Sequence, residues 1–427
     1  MSDRLAVNQH YFDHLVETGQ SRGIEATEDI VSGTGVKLVA KGAAIDARMR
    51  DRLLQHKLLK PLEACTRVVA GVATRPMDAI ADRLMHEHAL LASLCREEQA
   101  AAVLQGFRQL HLSPQLDTLL TVYADSGPDK LAHAVGVSLI AGALQFTLHP
   151  ERPLGPALTA GLMHDVGELY IDPAILRAPA PLSPARWRQV VAHPVIAAGL
   201  LRDLPGGGPE VAEAVLHHHE RRDGLGFPLG VEGTRMSGLA QAVAMAELMM
   251  ETLEAGPRPG LQAAVRLRLL NSQFERPLLN WVGRCAKQAH GAPEPEPAPG
   301  LQPPPTPALL RPRIHQLSHH MAAQKEFQAR WQARARTTAV ADLLRRLERR
   351  LHRVNIAFAS AGLGEDLQTL GLAPDELHEV SALVLELESR LAEIGYELHW
   401  RAGQLPAQDG EAMRQDFMAS VPAPLAA

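Results

Sequence analysis

The spacing of apolar and polar positions predicts a mainly helical chain. From about residue 75 to residue 290, apolar side chains recur at intervals of three and four, which is the period of an amphipathic helix. Residues 1–70 differ, because two short strand-like pieces flank Ser32–Gly35 and favour a hairpin. A helix is predicted after them over residues 43–59, with Asp46 as its cap. The pattern therefore predicts a small α+β module followed by an all-helical domain.

The C-terminal part of the chain carries two heptad-like seams. Apolar residues alternate steps of four and three from Val340 to Phe358 and again from Leu377 to Leu398. Three glycines fall between the seams, and Pro374 stands where a second helix would begin. Residues 314–403 are therefore predicted to form a helical hairpin. Because two helices alone bury little surface, we expect it to self-associate, to engage a signalling partner, or to dock on the main domain.

Two segments flank this hairpin and have compositions that disfavour regular structure. Residues 291–313 are proline-rich and predict an extended spacer. Residues 404–427 are rich in Ala, Pro and Gly, and we expect them to be disordered.

Length and charge bound the class of protein. A chain of 427 residues exceeds one typical domain, so two or three are expected. The 46% of hydrophobic residues suffice for real cores, although only 4% are aromatic. A net charge of -5 gives no electrostatic reason to expect nucleic-acid or membrane-surface binding.

Cysteine usage favours a reducing compartment. Cys65, Cys95 and Cys285 are few, odd in number and far apart, which argues against a disulfide framework and against a cysteine zinc site. Neither a signal peptide nor a run of 18 apolar residues is expected. We therefore expect a cytoplasmic protein without a membrane span.

Candidate chemistry concentrates between residues 160 and 228, on three apolar segments. AGLMHDVGELYIDPAIL contributes His164 and Asp165, VVAHPVIAAGLL contributes His193, and VAEAVLHHHERRDGLGFP contributes His217, His218 and His219. An isolated ionised Asp is costly inside a helical core, and a metal cation is a partner that suits both Asp and His. Taken singly, each His could equally be a buried, hydrogen-bonded structural residue.

Two flanking helices add candidates to this set. His133 lies on an apolar helix that precedes the helix of His164 by a length suited to an antiparallel neighbour. Asp129, one turn earlier, would share its face. Glu247 is a lone carboxylate in the strongly apolar run GLAQAVAMAELMMETL.

Together these motifs resemble the HD-GYP family, a branch of the HD-domain metal-dependent phosphohydrolases. The family order is a helix His, then H-D-x-G-K, H-P, H-H-E-x-x-D-G-x-G-Y-P, and an Asp on a following helix. The matching positions are His133, His164-Asp165-Val166-Gly167, His193-Pro194, His218-His219-Glu220-Arg221-Arg222-Asp223-Gly224-Leu225-Gly226, and Glu247. The resemblance covers residues 125–290. His217 falls outside the H-H-E match.

The resemblance implies an all-helical HD-type domain with two or three divalent metal ions, Fe or Mn by preference, in bacterial signal transduction. It implies cleavage of a 3′,5′ phosphodiester in a cyclic dinucleotide, chiefly cyclic di-GMP, by a hydroxide held between two metals. Asp165 would bridge them, with His133, His164 and Glu247 on one and His193, His218 and His219 on the other. His164 and Asp165 would be indispensable to catalysis.

Four departures from the family pattern concern mainly the substrate. Glu168 replaces a Lys, Phe227 a Tyr, Glu247 an Asp, and Gln241 an Arg. A carboxylate facing a phosphate in place of Lys would turn attraction into a repulsion of about 4 kcal/mol before solvation. Phe227 keeps the ring of the family Tyr and loses its hydroxyl.

Four further residues of the same loop receive expected roles. Arg221 and Arg222 could restore positive charge toward the substrate. Glu220 and Asp223 could orient the metal ligands from behind, although Asp223 is equally suited to capping the loop ahead of Gly224.

Three functions remain open at this stage. The retained ligand set favours an active cyclic di-GMP phosphodiesterase. Glu168 and the dedicated hairpin favour a degenerate relative that binds or signals without turnover. The changed substrate positions leave room for an HD-type phosphohydrolase acting on a nucleotide or phosphomonoester.

Overall fold

The computed structural model describes residues 6–72, 75–95, 97–178, 182–254, 258–270, 273–290, 305–363 and 372–420. The predicted mainly helical architecture is confirmed. In chain order the elements are α1 Gln9–Arg22, β1 Ile24–Ala26, β2 Ile30–Val31, β3 Lys37–Val39, α2 Arg50–Leu54, β4 Thr66–Val68, α3 Arg75–Glu87, α4 Ala89–Leu94, α5 Glu97–Arg108, α6 Pro114–Asp125, α7 Lys130–Leu148, α8 Gly155–Met163, α9 Pro173–Leu176, α10 Pro184–Val191, α11 His193–Asp203, α12 Pro209–Leu216, α13 Gly238–Glu254, α14 Pro259–Leu269, α15 Arg276–His290, α16 Pro307–Arg334, α17 Thr338–Ser360, α18 Pro374–Ala402 and α19 Ala407–Ser420.

The N-terminal module matches the predicted hairpin and departs from the predicted helix. Strands β2 and β3 pair antiparallel, and β1 pairs antiparallel with β4. The helix expected over residues 43–59 is reduced to a 3-10 turn, Ala47–Met49, and the short α2, although Asp46 does cap the turn. Its expected ends form bridges instead, because Ala44 pairs with Glu25 and Leu58 pairs with Ser32. Strand pairing thus replaces the helical ends.

Helix α1 was not predicted, because its sequence is mostly polar. Its N-cap Asn8 accepts hydrogen bonds from the backbone N–H groups of His10 and Tyr11. Its apolar face is narrow but fully used, since Tyr11, Phe12 and Leu15 are buried. Tertiary burial of a few large side chains therefore stabilises a helix that intrinsic propensity only weakly favours.

The chain divides into two compact units. The first comprises Met1–Ala178, Gln189–Ala255 and Phe274–Cys285, and its centre is the packing of α7 against α8 and α13. Helix α7 is long and apolar enough to cross a membrane, but 67% of its apolar window is buried within the protein, as is usual for a core helix. Helices α7 and α8 approach closely, and the Ser138 hydroxyl donates to the Leu158 carbonyl at 2.8 Å.

The second unit is a helical bundle larger than the predicted hairpin. Helices α17 and α18 pack together, and α14, α16 and α19 pack against them. The buried hydrophobic cluster includes the seam residues Leu347, Leu351, Leu387 and Leu391. The seams therefore have partners within the chain.

The predicted boundary at residues 290 and 291 does not coincide with the division between the units. Residues 256–273 and 286–290 belong to the second unit, although they were assigned to the helical domain ending at 290. The side chain of Leu269 packs on the second hydrophobic cluster, and Arg266 pairs with Glu386 at 3.3 Å between two largely buried side chains.

The predicted spacer and tail are each wrong over part of their length. Residues 307–313 form the start of α16, because the Thr306 hydroxyl caps that helix and Pro307 occupies its first turn, where proline is tolerated. The rest of the spacer up to residue 304 lies outside the described residues. Residues 407–420 form α19, which buries Met413 and packs the Phe417 ring 5.2 Å from that of Phe327, while 421–427 lie outside the described residues.

The close approach of α7 and α8 gives a stability prediction. A Cβ at Gly161 would lie 2.5 Å from the Ser138 Cα, so Gly161→Ala must push the two helices apart. We expect the free energy of unfolding to fall by about 1–3 kcal/mol, as in other overpacked cores. Urea unfolding of the full chain measures this change.

Gly283 in α15 is the matched control, because a Cβ there meets no atom within 4 Å. Gly283→Ala should instead stabilise the protein by about 0.5–1 kcal/mol through helix propensity. If both variants shift stability in the same direction, the account of the α7–α8 contact is wrong.

Candidate metal centre

Elements of the first unit bring the candidate side chains to one place. His133 lies in the first turn of α7, and His164 caps the C-terminus of α8. Asp165 precedes a 3-10 helix, Val166–Tyr170, and His193 is the first residue of α11. His218 and His219 follow α12, and Glu247 lies in the middle of α13. Most of these positions are helix ends, where the side chain can leave the helix and point into a shared space.

The first group contains His133, His164 and Glu247. The Nε2 atoms of the two histidines are 3.2 Å apart, and each lies 3.1 Å from Oε2 of Glu247. The side chain of His164 is fully buried, and those of His133 and Glu247 are 14% and 7% exposed. These three ligand atoms face a common point.

The second group contains Asp165, His193, His218 and His219, whose ligand atoms lie within 4.8 Å of one another. Nε2 of His193 is 3.1 Å from Nε2 of His218 and 3.2 Å from Oδ1 of Asp165. The other carboxylate oxygen, Oδ2, lies 3.2 Å from Nε2 of His164 in the first group. Asp165 therefore stands between the groups, with one oxygen toward each.

The tautomers of three histidines are determined by the backbone. Each Nδ1 lies close to the carbonyl oxygen three residues earlier: His164 to Gly161 at 2.8 Å, His193 to Val190 at 2.7 Å, and His218 to Val215 at 2.6 Å. Because a carbonyl can only accept, Nδ1 must carry the proton, and a neutral ring then presents a bare Nε2 lone pair. The Nε2 atoms of all three rings face the Asp165 carboxylate.

The electrostatics of the cluster show strong mutual attraction between acids and imidazoles. Burial lowers the pKa of His164, but Asp165 and Glu247 outweigh it and raise the pKa to about 10. For His133, burial likewise lowers the pKa, and hydrogen bonds to Glu247 and Glu254 raise it to about 11. Burial raises the pKa of Asp165, but His164, His193 and His218 bring it well below its usual value.

Two histidines of the second group, the buried His218 and the half-buried His219, have the opposite shift. Burial, with the neighbouring imidazoles, lowers the pKa of His218 and takes that of His219 well below its usual value. Both shifts favour the neutral ring.

This donor set fits divalent metal ions. Without metal, protons on His133 and His164 balance the charge of the two carboxylates. A divalent cation can take the place of these protons, because the neutral rings then offer lone pairs beside the two negative carboxylates. All donors are imidazole or carboxylate, and the three cysteines are free, buried and outside both groups. The residues could hold two ions, one in each group.

A comparison with known families identifies this region. Residues 131–255 match the HD domain family model. The chain contains an HD domain. The resemblance to HD-domain proteins is thereby confirmed, and the matched range contains all seven cluster residues.

Several curated relatives are similar to part of this chain. The cyclic di-GMP phosphodiesterase PA4108 of Pseudomonas aeruginosa is 30% identical over 260 residues, which is 60% of each chain. The 3′3′-cGAMP-specific phosphodiesterase 3 of Vibrio cholerae is 36% identical over 89 residues, 21% of this chain and 19% of the relative. The cyclic di-GMP phosphodiesterase response regulator RpfG of Xanthomonas campestris is 29% identical over 140 residues, 32% of this chain and 36% of the relative. The chain thus matches less than two thirds of each of these relatives.

The glycine of the HDVG segment serves packing in the HD domain. A Cβ at Gly167 would lie 2.1 Å from the carbonyl oxygen of His193, so only glycine allows the 3-10 helix to approach the start of α11 so closely. This contact keeps Asp165 beside His193.

The loop after His219 does not have the expected division of roles. Glu220 was expected to orient metal ligands, but its fully buried carboxylate accepts hydrogen bonds from the backbone N–H groups of Leu229, Gly230 and Val231 at 2.6, 2.9 and 3.1 Å. It therefore holds the loop. Asp223 accepts from the Leu225 N–H at 2.9 Å, which is the loop-capping alternative.

Residues proposed for substrate contact differ in where they point. The Phe227 ring stacks on His219 with centroids 4.4 Å apart. Arg221 donates to the backbone oxygens of His218 and Glu220 and lies over the Phe274 ring. Gln241 exchanges hydrogen bonds with Glu275. Only Phe227 contacts the cluster by a described ring contact, and a substrate role for Arg221 or Arg222 stays a prediction.

Glu168 is not an isolated negative charge, contrary to expectation. Its carboxylate forms an ion pair with Lys130, the first residue of α7. The expected repulsion of about 4 kcal/mol assumed an uncompensated carboxylate, so it does not apply to the paired side chain. Lys130 was not singled out because a single Lys at a helix start carries no distinguishing sequence pattern.

Two residues that contact the ligand groups, Glu254 and Tyr123, were not predicted from the sequence. Glu254 lies 3.0 Å from Nδ1 of His133, and Tyr123 donates to Oδ2 of Asp165 at 3.3 Å. The spacing of Glu254, two helical turns after Glu247, could have revealed it. His217 pairs with Glu213 at 3.0 Å, outside the cluster as expected, and Asp129 is exposed and belongs to neither ligand group.

The Glu220 loop contact gives a prediction. In Glu220→Ala three backbone N–H groups lose a charged acceptor, so we expect the free energy of unfolding to fall by about 3 kcal/mol. Thermal and urea unfolding of the full chain measure the effect.

Asp223→Ala serves as the control, since one N–H loses its acceptor, and about 1 kcal/mol is expected. Equal losses in both variants would show that Glu220 has no special role in holding the loop.

Proposed function

We propose that this protein is a metal-dependent phosphodiesterase that hydrolyses a 3′,5′ phosphodiester of a cyclic dinucleotide, with cyclic di-GMP as the substrate. The observation that carries the proposal is the convergence of five imidazoles and the Glu247 carboxylate around the Asp165 carboxylate. A buried set of this kind suits cations that activate water and stabilise charge on a phosphoryl group.

The choice of substrate rests on the relatives. PA4108 and RpfG are named cyclic di-GMP phosphodiesterases, and two Vibrio cholerae relatives are named 3′3′-cGAMP-specific phosphodiesterases. All four names share a cyclic dinucleotide and cleavage of its phosphodiester. The pairing of Glu168 with Lys130 supports turnover, because it removes the main argument for a degenerate site.

Two ions would be held by the two ligand groups. His133, His164 and Glu247 would bind one, His193, His218 and His219 the other, and Asp165 would contact both. Imidazole and carboxylate donors without thiolate suit Fe or Mn. When bound, the ions supply Lewis-acid polarisation of the phosphoryl oxygens and a nucleophile at neutral pH.

The protein's own residues prepare the site for this chemistry. Backbone carbonyls hold protons on Nδ1 of His164, His193 and His218, which keeps each Nε2 free to act as a donor to a cation. Tyr123 orients the Asp165 carboxylate through Oδ2. Phe227, stacked on His219, offers a ring face at the edge of the cluster on which a base could pack.

We also propose a cytoplasmic location and a protein partner. Three free, buried cysteines support a reducing compartment, and burial raises the pKa of Cys95 to about 12, so its thiol stays protonated. The helical bundle of the second unit is proposed to form a homodimer or to bind a signalling protein.

The activity prediction concerns the adjacent ligand residues His164 and Asp165. His164→Ala and Asp165→Asn should each reduce hydrolysis of cyclic di-GMP by about a thousandfold or more, because each removes a donor shared within the cluster. Liquid chromatography of the linear dinucleotide and GMP formed by Mn- or Fe-loaded protein measures turnover.

His217→Ala is the matched histidine control, since His217 pairs with Glu213 outside the cluster, and its turnover should stay near that of wild type. Undiminished hydrolysis by Asp165→Asn, or no hydrolysis by the wild type with either metal, would contradict the proposed function.

A second prediction concerns the carboxylate behind His133. Glu254→Ala removes the acceptor on Nδ1, and loss of such a partner typically lowers metal affinity about 10–100-fold. Competition with a fluorescent chelator measures the affinity. Glu210→Ala, which removes an exposed carboxylate on α12, should leave it unchanged; a loss shared by both variants would mean that Glu254 acts only through overall charge.

A further inference from the structure

Lys130 occupies a specific place at the edge of the metal centre. It is the first residue of α7, three residues before His133, so the two side chains project from neighbouring positions on one helix face. Its side chain is 26% exposed, and the carboxylate of its partner Glu168 is 20% exposed. The ammonium is therefore neither buried in the core nor free in solvent.

Two contacts fix the position of this ammonium. Its Nζ donates to Oε2 of Glu168, which follows Asp165 by three residues, and it lies 4.5 Å from the centroid of the Tyr123 ring. The hydroxyl of that same tyrosine donates to Oδ2 of Asp165 at 3.3 Å. One aromatic ring thus links the lysine to the carboxylate between the two ligand groups.

The chemistry of the lysine leaves capacity for a further acceptor. An ammonium carries three N–H donors, and a carboxylate oxygen accepts one of them, so a second anionic oxygen can bind while the pair persists. The face of Tyr123 offers no oxygen lone pair and only attracts the positive charge.

We propose that Lys130 binds a non-bridging phosphate oxygen of the substrate, and that Glu168 positions it for this contact. The inference rests on the proposed function, because it assigns a phosphate-binding residue to that same site. In this pair the positive charge comes from Lys130 at the start of α7, and Glu168 holds the ammonium in place. The carboxylate then has a positioning role, and its negative charge is compensated before substrate arrives.

The structure favours Lys130 over Arg221 of the loop. Arg221 directs its guanidinium toward backbone oxygens and the Phe274 ring. Gln241, which stands where a cation was expected, bonds to Glu275. Lys130 is the cation whose described contacts lead, through Tyr123, directly to Asp165.

The experiment compares Lys130→Met, Lys130→Arg and the charge swap Lys130→Glu/Glu168→Lys in the full metal-loaded chain. Steady-state kinetics with cyclic di-GMP give kcat and KM, and calorimetry with a phosphorothioate analogue gives Kd. Metal content and urea unfolding of each variant are measured in parallel, so that loss of metal or of fold is distinguished from loss of substrate binding.

Lys130→Met should raise KM and Kd about tenfold or more, with kcat changed by less than about threefold and metal content unchanged. Lys130→Arg should retain most of the affinity, since it keeps the positive charge, and the swap should bind more tightly than Lys130→Met. The matched control is Lys60→Met, which breaks an exposed Lys–Glu pair with Glu28 and should leave KM and Kd unchanged.

Wild-type KM and Kd in Lys130→Met would overturn the assignment while leaving the proposed function intact. An equal loss in Lys130→Arg would also overturn it, because charge would then not be the relevant property. Wild-type protein that neither binds nor cleaves cyclic di-GMP would instead refute the proposed function, and with it this inference.

Discussion

The site depends on one constraint: backbone carbonyls accept hydrogen bonds from the Nδ1–H groups of three buried histidines. His164, His193 and His218 each bond to the carbonyl three residues earlier, so the ring orientation is fixed by the local chain. With Nδ1 bonded to the backbone, the other ring nitrogen, Nε2, faces Asp165, and it offers a lone pair to a cation whenever the ring is neutral. Without metal, protons on imidazoles such as His164, whose pKa is raised to about 10, balance the carboxylates, and a bound cation would replace these protons. A ligand set is thereby built before any ion arrives.

The fold supports this constraint through close backbone packing. Helices α7 and α8 approach each other at Gly161, whose carbonyl accepts the hydrogen bond from Nδ1 of His164. The 3-10 helix after Asp165 approaches α11 at Gly167. The Glu220 carboxylate holds the loop that follows His219 through three backbone amides. The motif residues Gly167 and Glu220 thus act through packing and backbone contacts, and they determine where the histidines can lie.

The sequence was informative about the ligand set and less so about its surroundings. The seven cluster residues follow a motif whose order and spacing are distinctive, and the structure brings all seven together. Tyr123 lies on α6, outside the motif, and Glu254 lies two turns beyond Glu247 on α13, so the role of each depends on which helix faces meet in three dimensions. Glu168 illustrates the same limit: its negative charge is visible in the sequence, but its partner Lys130 becomes adjacent only after folding.

Element ends and the C-terminal region were harder to predict for physical reasons. Residues 43–59 have a helical apolar pattern, yet strand bridges at Ala44 and Leu58 take over its ends. The tail composition predicts disorder, but burial of Met413 and Phe417 stabilises α19. The heptad seams correctly indicated helices, while the number of helices packed on them could not be read from the seams alone.

The most direct test of the central claim is anomalous diffraction at the Mn or Fe absorption edge from crystals of the metal-loaded protein. The account predicts two peaks on opposite sides of the Asp165 carboxylate, one among His133, His164 and Glu247 and the other among His193, His218 and His219. Peaks at other positions, or fully loaded crystals with no peak beside Asp165, would contradict it.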